Sequence, residues 1–294
     1  MIDFVNITKC FDGKTVLDGV SFSVKTGGVF GLVGTNGAGK STLLRLAAGV
    51  YFSDSGEVLV DGTSVFDSAS AKEKIVFIND DSYFPTGSTV ADIKQVYSVF
   101  YKNFDSEEFS KITEYLGFKA EDKIGSFSKG MKKQLSVAAA ISCNTEYVLF
   151  DETFDGIDPV IRSYVKKLMY EKAEKKNTTF LLTSHDLRET ESLCDGVAIL
   201  HGGKTVLCGE PSNIKTNILK VQVSFANGED VSFDGLDIIE KSSLGSVYTV
   251  IIRGSEDETR EFFLKKNPVI LDFIPLTLEE IFIYETEALG YAAR

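Results

Sequence analysis

Two alternating stretches open the pattern of apolar and polar residues along the chain. Residues 3–8 and 20–24 alternate with a period of two, and a turn at 11–14 lies between them, which predicts a β-rich N-terminal part. An apolar run over 29–33 then predicts a buried strand, which leads through a glycine-rich stretch into a helical pattern over 42–48. We therefore expect strands, then a loop, then a helix in this part of the chain.

The middle of the chain alternates between helical and strand patterns. Apolar spacing typical of helices covers 87–145, which we interpret as a helical insert. Short apolar runs at 147–150, 179–183 and 196–200 then alternate with amphipathic helices, as in a parallel sheet that is buried on both faces. The pattern predicts an α/β core with a mostly parallel sheet, together with an antiparallel β subdomain and the helical insert.

The pattern changes after Pro211. Longer alternating stretches at 219–225 and 246–252 precede an acidic helical segment near 256–266. A threonine and a glutamate three residues apart, at 277–280, form a capping-box pattern that predicts the start of a further helix. This mixture is typical of a small α+β domain.

This change divides the chain into two predicted domains. Residues 1–212 form the first, with its helical subdomain at about 87–145, and residues 213–294 form a C-terminal α+β accessory domain. With 294 residues, the chain is long enough to bury a full core without metals or disulfide bonds.

Composition narrows the classes of partner and compartment. The chain has 31 Lys+Arg against 43 Asp+Glu and a net charge of −12, which argues against a nucleic-acid partner. Cysteines 10, 143, 194 and 208 share no short spacing, so we expect buried thiols in a reducing compartment. The start lacks a signal-peptide pattern, and no apolar run approaches the ~20 residues of a membrane helix. We therefore predict a cytoplasmic protein.

The glycine-rich stretch carries the strongest chemical signal. Residues 34–41 match G-x-x-x-x-G-K-[ST] between a predicted buried strand and a predicted helix. Glycines let successive backbone N–H groups face a phosphate, Lys40 supplies a positive charge, and the Ser41 hydroxyl suits Mg²⁺. A glycine-rich turn with a solvated lysine is the alternative, but it does not account for the strand and helix on either side. The sequence predicts a nucleoside triphosphate site.

Charged side chains follow two other predicted strands. Asp151 and Glu152 end the run at 147–150. If that strand lies beside the strand of the phosphate cradle, Asp151 can hold the metal and Glu152 can accept a proton from the attacking water. The alternative for this pair is a strand that simply enters a loop. His185 follows the run at 179–183 and either hydrogen-bonds a γ-phosphate or is a structural histidine.

In this order, the residues resemble the nucleotide-binding subunit of an ATP-binding cassette (ABC) transporter over about 2–211. The resemblance implies ATP and Mg²⁺ as ligands, Asp151 as the Walker B aspartate, Glu152 as catalytic base and His185 as the switch histidine. On its own, Phe11 is equally consistent with base stacking and with a core or staple role, and the resemblance implies that it stacks on adenine. The implied nucleotide contacts in the cradle are Gly34, Asn36, Gly37, Ala38, Gly39, Lys40, Ser41 and Thr42.

Residues 127–131 resemble the family signature, which is usually Leu-Ser-Gly-Gly-Gln. The resemblance implies that Ser128 and Gly130 of one subunit cover the γ-phosphate held by the cradle of another, so that ATP is enclosed in a head-to-tail dimer. Asp158 lies in a segment that looks like the D-loop. A second helix N-terminus aimed at the same phosphate would complete its screening, and hydrolysis would separate the subunits.

The sequence also departs from the family pattern. Lys129 and Met131 replace the first glycine and the glutamine of the signature. The segment at 77–82 stands where the family has its Q-loop, and it contains no glutamine. Asp80 or Asn79 is the implied oxygen ligand there, and Asp80 is our candidate for the metal site. Because a further carboxylate would repel the γ-phosphate, we expect an effect on hydrolysis and coupling rather than on nucleotide binding.

The resemblance extends to the cassettes of small bacterial exporters of antibiotic, lantibiotic and multidrug type, through Pro85, the segment at 88–90 and the closing stretch at 276–282. It implies an ATP-hydrolysing subunit that forms a homodimer, or a dimer with a related cassette, on integral membrane permease subunits at the inner face of the cell membrane. Two alternatives stay open. One is a soluble ABC-type ATPase that acts on ribosomes or DNA, and the other is a slowly hydrolysing nucleotide switch.

Overall fold

Three β-sheets organise the part of the chain that a computed structural model describes, which is residues 1–215, 218–226 and 232–288. The strands are β1 (Ile2–Phe11), β2 (Lys14–Val24), β3 (Gly28–Gly34), β4 (Ser55–Val60), β5 (Thr63–Ser64), β6 (Ile75–Ile78), β7 (Tyr147–Phe150), β8 (Thr179–Ser184), β9 (Gly196–His201), β10 (Lys204–Gly209), β11 (Ile218–Ser224), β12 (Asp237–Leu244), β13 (Val247–Arg253) and β14 (Ile270–Ile274). The helices are α1 (Lys40–Ala47), α2 (Ala69–Lys72), α3 (Val90–Phe100), α4 (Ser106–Tyr115), α5 (Lys129–Ser142), α6 (Pro159–Lys176), α7 (Leu187–Leu193), α8 (Pro211–Lys215), α9 (Glu256–Leu264) and α10 (Leu278–Ala288).

The first sheet is antiparallel, with strand order β2, β1, β4, β5. Its first hairpin turns at Asp12 and Gly13, whose φ angles are 47° and 78°, as a two-residue hairpin turn requires. The predicted β-rich N-terminal part is confirmed. Strand β2 begins at Lys14 rather than near residue 20 because its pairing with β1 continues up to the turn.

The second sheet has strand order β10, β9, β3, β8, β7, β6 and is parallel except for β10. Strands β7 and β8 are buried along their whole length, as expected for parallel strands that helices cover on both faces. The predicted α/β core is therefore confirmed. The premise that the strand of Asp151 lies directly beside the strand of the cradle is wrong, because β8 pairs with β3 on one side and with β7 on the other.

Three helices separated by loops fill the predicted helical insert at 87–145. The helices α3, α4 and α5 begin after Thr89, Asp105 and Ser128, whose side chains each accept a hydrogen bond from an N–H group in the first turn. The expectation of helix throughout is wrong at 101–105, which is a loop, and at 116–128, where a loop with a short 3₁₀ turn intervenes. Within the described residues, no helix combines the length and the apolar character needed to cross a lipid bilayer.

The third sheet is antiparallel, with strand order β12, β13, β11, β14. Helix α9 packs against it through Phe263, which joins Val221 and Val250 in a small core. The predicted capping box is confirmed at the start of α10, where Glu280 accepts a hydrogen bond from the N–H group of Thr277 at 3.0 Å and Thr277 accepts one from the N–H group of Glu280 at 3.2 Å. The predicted α+β character of this part is therefore seen in its sheet and two helices.

The C-terminal sheet and the larger α/β part share a hydrophobic core. Ile251, Leu278 and Ile281 lie in the same buried cluster as Leu193 and Val197 of the α/β part. The sequence boundary between 212 and 213 stays a prediction, and it falls within α8.

The cysteines differ in burial. Cys143 and Cys194 are buried, as predicted, whereas Cys10 is partly exposed and Cys208 is exposed. The expectation of four buried thiols is wrong for the last two because Cys10 lies near the hairpin turn of β1 and Cys208 lies on the edge strand β10.

Candidate functional site

The predicted phosphate cradle lies between the end of β3 and the start of α1. Gly37 and Gly39 have φ angles of 79° and 101°, which residues with a side chain rarely adopt. A Cβ atom on Gly39 would also collide with Leu17 of β2, so the first hairpin packs closely against this loop. The first N–H groups of α1, which have no acceptor within the helix, open onto the loop. The loop and first helical turn contain all the predicted cradle contacts, Gly34, Asn36, Gly37, Ala38, Gly39, Lys40, Ser41 and Thr42.

Lys40 is nearly buried at the base of this cradle, with 4% of its surface exposed. Its Nζ donates hydrogen bonds to the carbonyl oxygens of Gly34 (2.8 Å) and Thr35 (3.3 Å). Burial lowers the pKa of the ammonium group, and nearby carboxylates act in the opposite direction, led by Glu152 with an oxygen 3.8 Å away. A phosphate in the cradle would meet one cation held in a fixed place.

Asp151 is buried at the end of β7 and contacts the cradle across the intervening strand. Its Oδ1 accepts hydrogen bonds from the hydroxyl groups of Ser41 (2.8 Å) and Thr183 (2.9 Å). A guanidinium nitrogen of Arg45 lies 3.8 Å from Oδ2. The carboxylate and the cradle serine are thus brought together although β8 separates their strands.

The oxygen atoms of Ser41 and Asp151 fit the preferences of Mg²⁺. This ion binds oxygen ligands, takes one or two from the protein and completes its shell with water and phosphate oxygens. In the described part of the chain, no group of three or more His, Cys, Asp or Glu side chains could hold a metal ion. The oxygens of Ser41 and Asp151 therefore suit a magnesium ion bound together with a nucleotide.

Glu152 has an unusual backbone conformation, with φ of 46°. Its N–H group donates to Oγ1 of Thr183 at 2.8 Å, and its carbonyl oxygen accepts from Nζ of Lys133 at 2.7 Å. One carboxylate oxygen lies 3.8 Å from Nζ of Lys40. The carboxylate of the candidate base therefore faces the cradle, and both the N–H group and the carbonyl oxygen of its backbone are hydrogen-bonded.

His185 lies beyond the end of β8, and its side chain is 58% exposed. Its Nδ1 lies 3.2 Å from a carboxylate oxygen of Asp155. An ion pair or hydrogen bond of this kind fixes the ring orientation and leaves the other ring nitrogen for a ligand. A γ-phosphate contact for His185 stays a prediction, and so does the alternative of a structural histidine.

The signature-like segment begins helix α5. Ser128 caps the helix by accepting a hydrogen bond from the N–H group of Met131 at 3.2 Å. A Cβ atom on Gly130 would lie 3.2 Å from the carbonyl oxygen of Gly156, so the start of α5 packs against the predicted D-loop. Asp158 caps the next helix by accepting from the N–H group of Val160 at 2.8 Å.

Asp80 lies in the loop after β6 and forms ion pairs with two lysines of α5. Its oxygens lie 2.6 Å from Nζ of Lys133 and 3.2 Å from Nζ of Lys129. Hydrogen bonding by Lys133 is the main cause that holds the pKa of this carboxyl group below its usual range. The described contacts of Asp80 thus run to α5 and not to Ser41 or Asp151. A metal-binding role for Asp80 stays a prediction.

Phe11 lies at the first hairpin turn, with 38% of its surface exposed. Its ring meets Tyr51 edge-on at a centroid distance of 5.5 Å, and Nζ of Lys9 lies 5.2 Å from its centre. This exposure does not fit a core position. Stacking on adenine stays a prediction.

Known proteins share this architecture. The family described as ABC transporter matches residues 17–155. The ABC transporter ATP-binding protein YtrB of Bacillus subtilis (strain 168) is 30% identical over 283 residues, which cover 96% of this chain and 97% of YtrB. The chain belongs to the ABC transporter family. It is an ATP-binding subunit of that family, as its signature motifs predicted.

Other members resemble this ABC cassette over most of its length. A Nod factor export ATP-binding protein I of Burkholderia orbicola (strain AU 1054) is 29% identical over 294 residues, which cover 96% of this chain and 95% of the relative. A solved structure of the ATP binding subunit of an ABC transporter has a TM-score of 0.67 at 24% identity, covering 73% of this chain and 92% of that one. The second match supports the fold.

Three residues of the cassette site were not predicted from the sequence: Arg45, Lys133 and Thr183. Thr183 is the second-last residue of the buried strand β8 and precedes the polar Ser184, which marks it as a candidate for the sheet edge. Lys133 is a charged residue within a helix whose other inward positions are mostly apolar or small, which is the signal that a search for buried charge would use. Arg45 follows Ser41 by one helical turn and so shares its face of α1.

Proposed function

We propose that this cassette hydrolyses ATP with Mg²⁺ and thereby drives outward transport by a separate membrane permease. The observation that carries the proposal is the junction at Asp151, which binds the cradle serine Ser41 and is followed directly by Glu152 beside Lys40. A phosphate site, an oxygen pair suited to Mg²⁺ and a carboxylate base would then meet at one edge of the sheet. Bound Mg²⁺ would neutralise charge on the phosphates.

The residues of the chain divide the hydrolysis step between them. The cradle N–H groups and Lys40 bind the phosphates and keep the γ-phosphorus in place. A water oxygen forms a bond to the γ-phosphorus while the bond to the β–γ bridging oxygen breaks, and Glu152 takes the proton that the water loses. His185 donates a hydrogen bond to a γ-phosphate oxygen. The products are ADP and phosphate.

The proposed working unit contains two cassettes and membrane subunits. The start of α5, with Ser128 and Gly130, faces the γ-phosphate bound by a second copy or by a related cassette, and loss of that phosphate releases the pair. The cassettes bind permease subunits at the inner, cytoplasmic face of the cell membrane. Export is supported by the name of the relative that serves Nod factor export. In this proposal, the permease selects the transported compound.

The experiment that tests this function compares wild type with Glu152→Gln. We expect the variant to bind ATP normally, to lose turnover by about 100-fold or more, since proton transfer is removed, and to remain an ATP-bound dimer in light scattering. Glu146→Gln is the matched control, because Glu146 lies just before the same strand with its side chain 59% exposed. Turnover in Glu152→Gln equal to that of wild type would reject Glu152 as the base. The same turnover measurement with the permease co-expressed tests whether ATP hydrolysis is coupled to the permease.

A nucleotide switch that hydrolyses slowly is the second candidate function. The observation that favours it is Asp80, a carboxylate in the segment where the family has its glutamine, paired with Lys129 and Lys133 of the signature helix. Under this alternative, ATP binds tightly and closes the dimer, while turnover stays near background even with the permease present. ATP binding and ATP turnover, measured on wild type with the permease present, distinguish the two functions.

A further inference from the structure

Lys133 brings a positive charge into the interior of the cassette. Only 3% of the residue is exposed. Its Nζ contacts three oxygens, in the carboxylate of Asp80 (2.6 Å) and in the backbone carbonyls of Glu152 (2.7 Å) and Asp155 (3.0 Å). A buried ammonium group is costly unless its donors are satisfied, and here each of its three donors has an acceptor. The side chain therefore connects the loop after β6, the end of β7 and the loop that carries Asp155.

The backbone of Glu152 needs such support. Its φ of 46° lies in the left-handed region, where a residue with a side chain is strained and stays only if its surroundings hold it. Thr183 binds its N–H group and Lys133 binds its carbonyl oxygen. Together they fix the peptide groups on both sides of the Cα atom, and hence the direction in which the carboxylate leaves the backbone.

Asp80 supplies the counter-charge for Lys133. Its second oxygen binds Lys129, but the side chain of Lys129 is 66% exposed whereas that of Lys133 is 4% exposed. An exposed ion pair contributes little, while loss of one partner from a buried pair leaves an uncompensated charge. Of the two, the pair with Lys133 is the one whose loss would disturb the site.

We propose that Lys133 is a positioning residue for ATP hydrolysis and that Asp80 acts as its counter-ion. Together they hold the strained backbone of Glu152 so that its carboxylate faces the cradle. The inference rests on the proposed function, because Glu152 has a proton to accept only if the cassette hydrolyses ATP. It gives Asp80 a role through Lys133, which differs from direct binding of the metal.

Kinetics of Lys133→Met and Asp80→Asn test this role, with Lys132→Met as the matched control on the same helix. We expect kcat to fall about tenfold or more in both, because a small displacement of the base is costly. KM and the affinity for a fluorescent ATP analogue should stay within about twofold of wild type, as should the Mg²⁺ concentration for half-maximal activity. The double variant should be no slower than Lys133→Met, because the two residues act as one unit.

The Mg²⁺ dependence separates the two roles of Asp80. A higher Mg²⁺ requirement in Asp80→Asn together with unchanged kcat in Lys133→Met would overturn the inference and favour Asp80 as a metal ligand. Lys132→Met should behave as wild type in every measurement. A fall in kcat of the same size in that control would attribute the effect to α5 in general and would also overturn the inference.

Amide hydrogen exchange provides a measurement that does not depend on turnover. We expect peptides that cover 147–157 to exchange faster in Lys133→Met than in wild type, with peptides from β11 to β14 unchanged. Unchanged exchange at 147–157 would overturn the inference while the proposed function stands. Absence of turnover in wild type would reject the proposed hydrolysis, and the exchange result would still decide whether Lys133 holds Glu152. Should Lys133→Met fail to fold, Asp80→Asn, at a side chain that is 40% exposed, serves the same comparison.

Discussion

Asp151 is a buried carboxylate whose close partners are neutral. Ser41 and Thr183 both donate to its Oδ1, at 2.8 and 2.9 Å, whereas the nearest guanidinium nitrogen of Arg45 lies 3.8 Å from Oδ2. Two hydroxyl groups stabilise an ionised carboxylate, but they do not balance its charge. At the scale of single residues, this carboxylate beside the cradle serine is the feature that suits the site to a divalent cation.

Lys40→Ala should weaken ATP binding by about 10- to 100-fold, since hydrogen bonds that involve a charged group contribute about 1.5–3 kcal/mol. The measurement is a titration with a fluorescent ATP analogue in the presence of Mg²⁺. Lys25→Ala is the control, because Lys25 is an exposed lysine on the turn between β2 and β3. Equal affinity in Lys40→Ala and wild type would reject the cradle as the phosphate site.

The residues that sequence analysis located and those that it missed differ in a physical way. Lys40 and Ser41 belong to a motif in which spacing along the chain itself sets the geometry. The contacts of Thr183 and Lys133 depend on which strands are neighbours and on how α5 packs, and the local sequence does not encode either. Motif spacing therefore predicted the ligand-facing residues, and the residues that support them required the tertiary structure.

At the scale of elements, Asp61 joins the antiparallel sheet to the parallel one. It lies in the turn between β4 and β5 and accepts hydrogen bonds from Tyr147 at the start of β7 and from Lys74 just before β6, both at 2.5 Å. Burial alone would raise the pKa of Asp61, but the hydrogen bonds from Lys74, the amino group of Met1 and Tyr147 outweigh it and hold the pKa well below its usual range. The ionised carboxylate of Asp61 therefore links the antiparallel sheet to the parallel sheet through hydrogen bonds.

This contact should make stability depend on pH in the acid range. Because the folded-state pKa of Asp61 is depressed, its contribution is fully present above the unfolded pKa of about 3.9 and is lost as the pH falls toward the folded value. Asp61→Asn should therefore be less stable than wild type at pH 7, and the difference should shrink below about pH 4. Urea unfolding at several pH values measures this. Asp67→Asn, at an exposed aspartate, is the control. A difference that stays constant with pH would contradict the prediction.

The helices and strands were predicted correctly where the pattern of apolar residues alone is enough to identify them. The strands β3, β7, β8 and β9 follow the apolar runs closely, because a strand that is buried on both faces leaves a continuous apolar run. The order of the strands does not follow from these runs, so the position of β8 between β3 and β7 was missed. The loop at 116–128 was missed because apolar residues such as Phe118 and Ile124, buried from the loop, imitate a helical pattern.

At the scale of the whole molecule, the C-terminal part contacts the rest of the cassette near His185, the candidate switch histidine. Helix α7 begins two residues after His185. Arg188 of this helix binds Glu279 at 2.8 Å, and Glu191 accepts a hydrogen bond from the N–H group of Leu278 at 3.0 Å. The sequence predicted a separate accessory domain but not this contact, because polar contacts between residues far apart in the chain leave no local sequence pattern.

Leu278→Ala tests whether the two parts unfold as one. Leu278 is fully buried in the core that the C-terminal part shares with the cassette, so its truncation should lower the free energy of unfolding by about 2–5 kcal/mol. Because the cavity lies in a shared core, urea unfolding followed by tyrosine fluorescence and by circular dichroism should shift together. Leu264→Ala, at a leucine of α9 that is 56% exposed, should change stability by no more than about 0.5 kcal/mol. Suppose instead that Leu278→Ala produces an early transition of its own while the main transition stays at the wild-type urea concentration. The C-terminal part would then be an independent unit, and its contact with α7 could be lost without cost to the cassette.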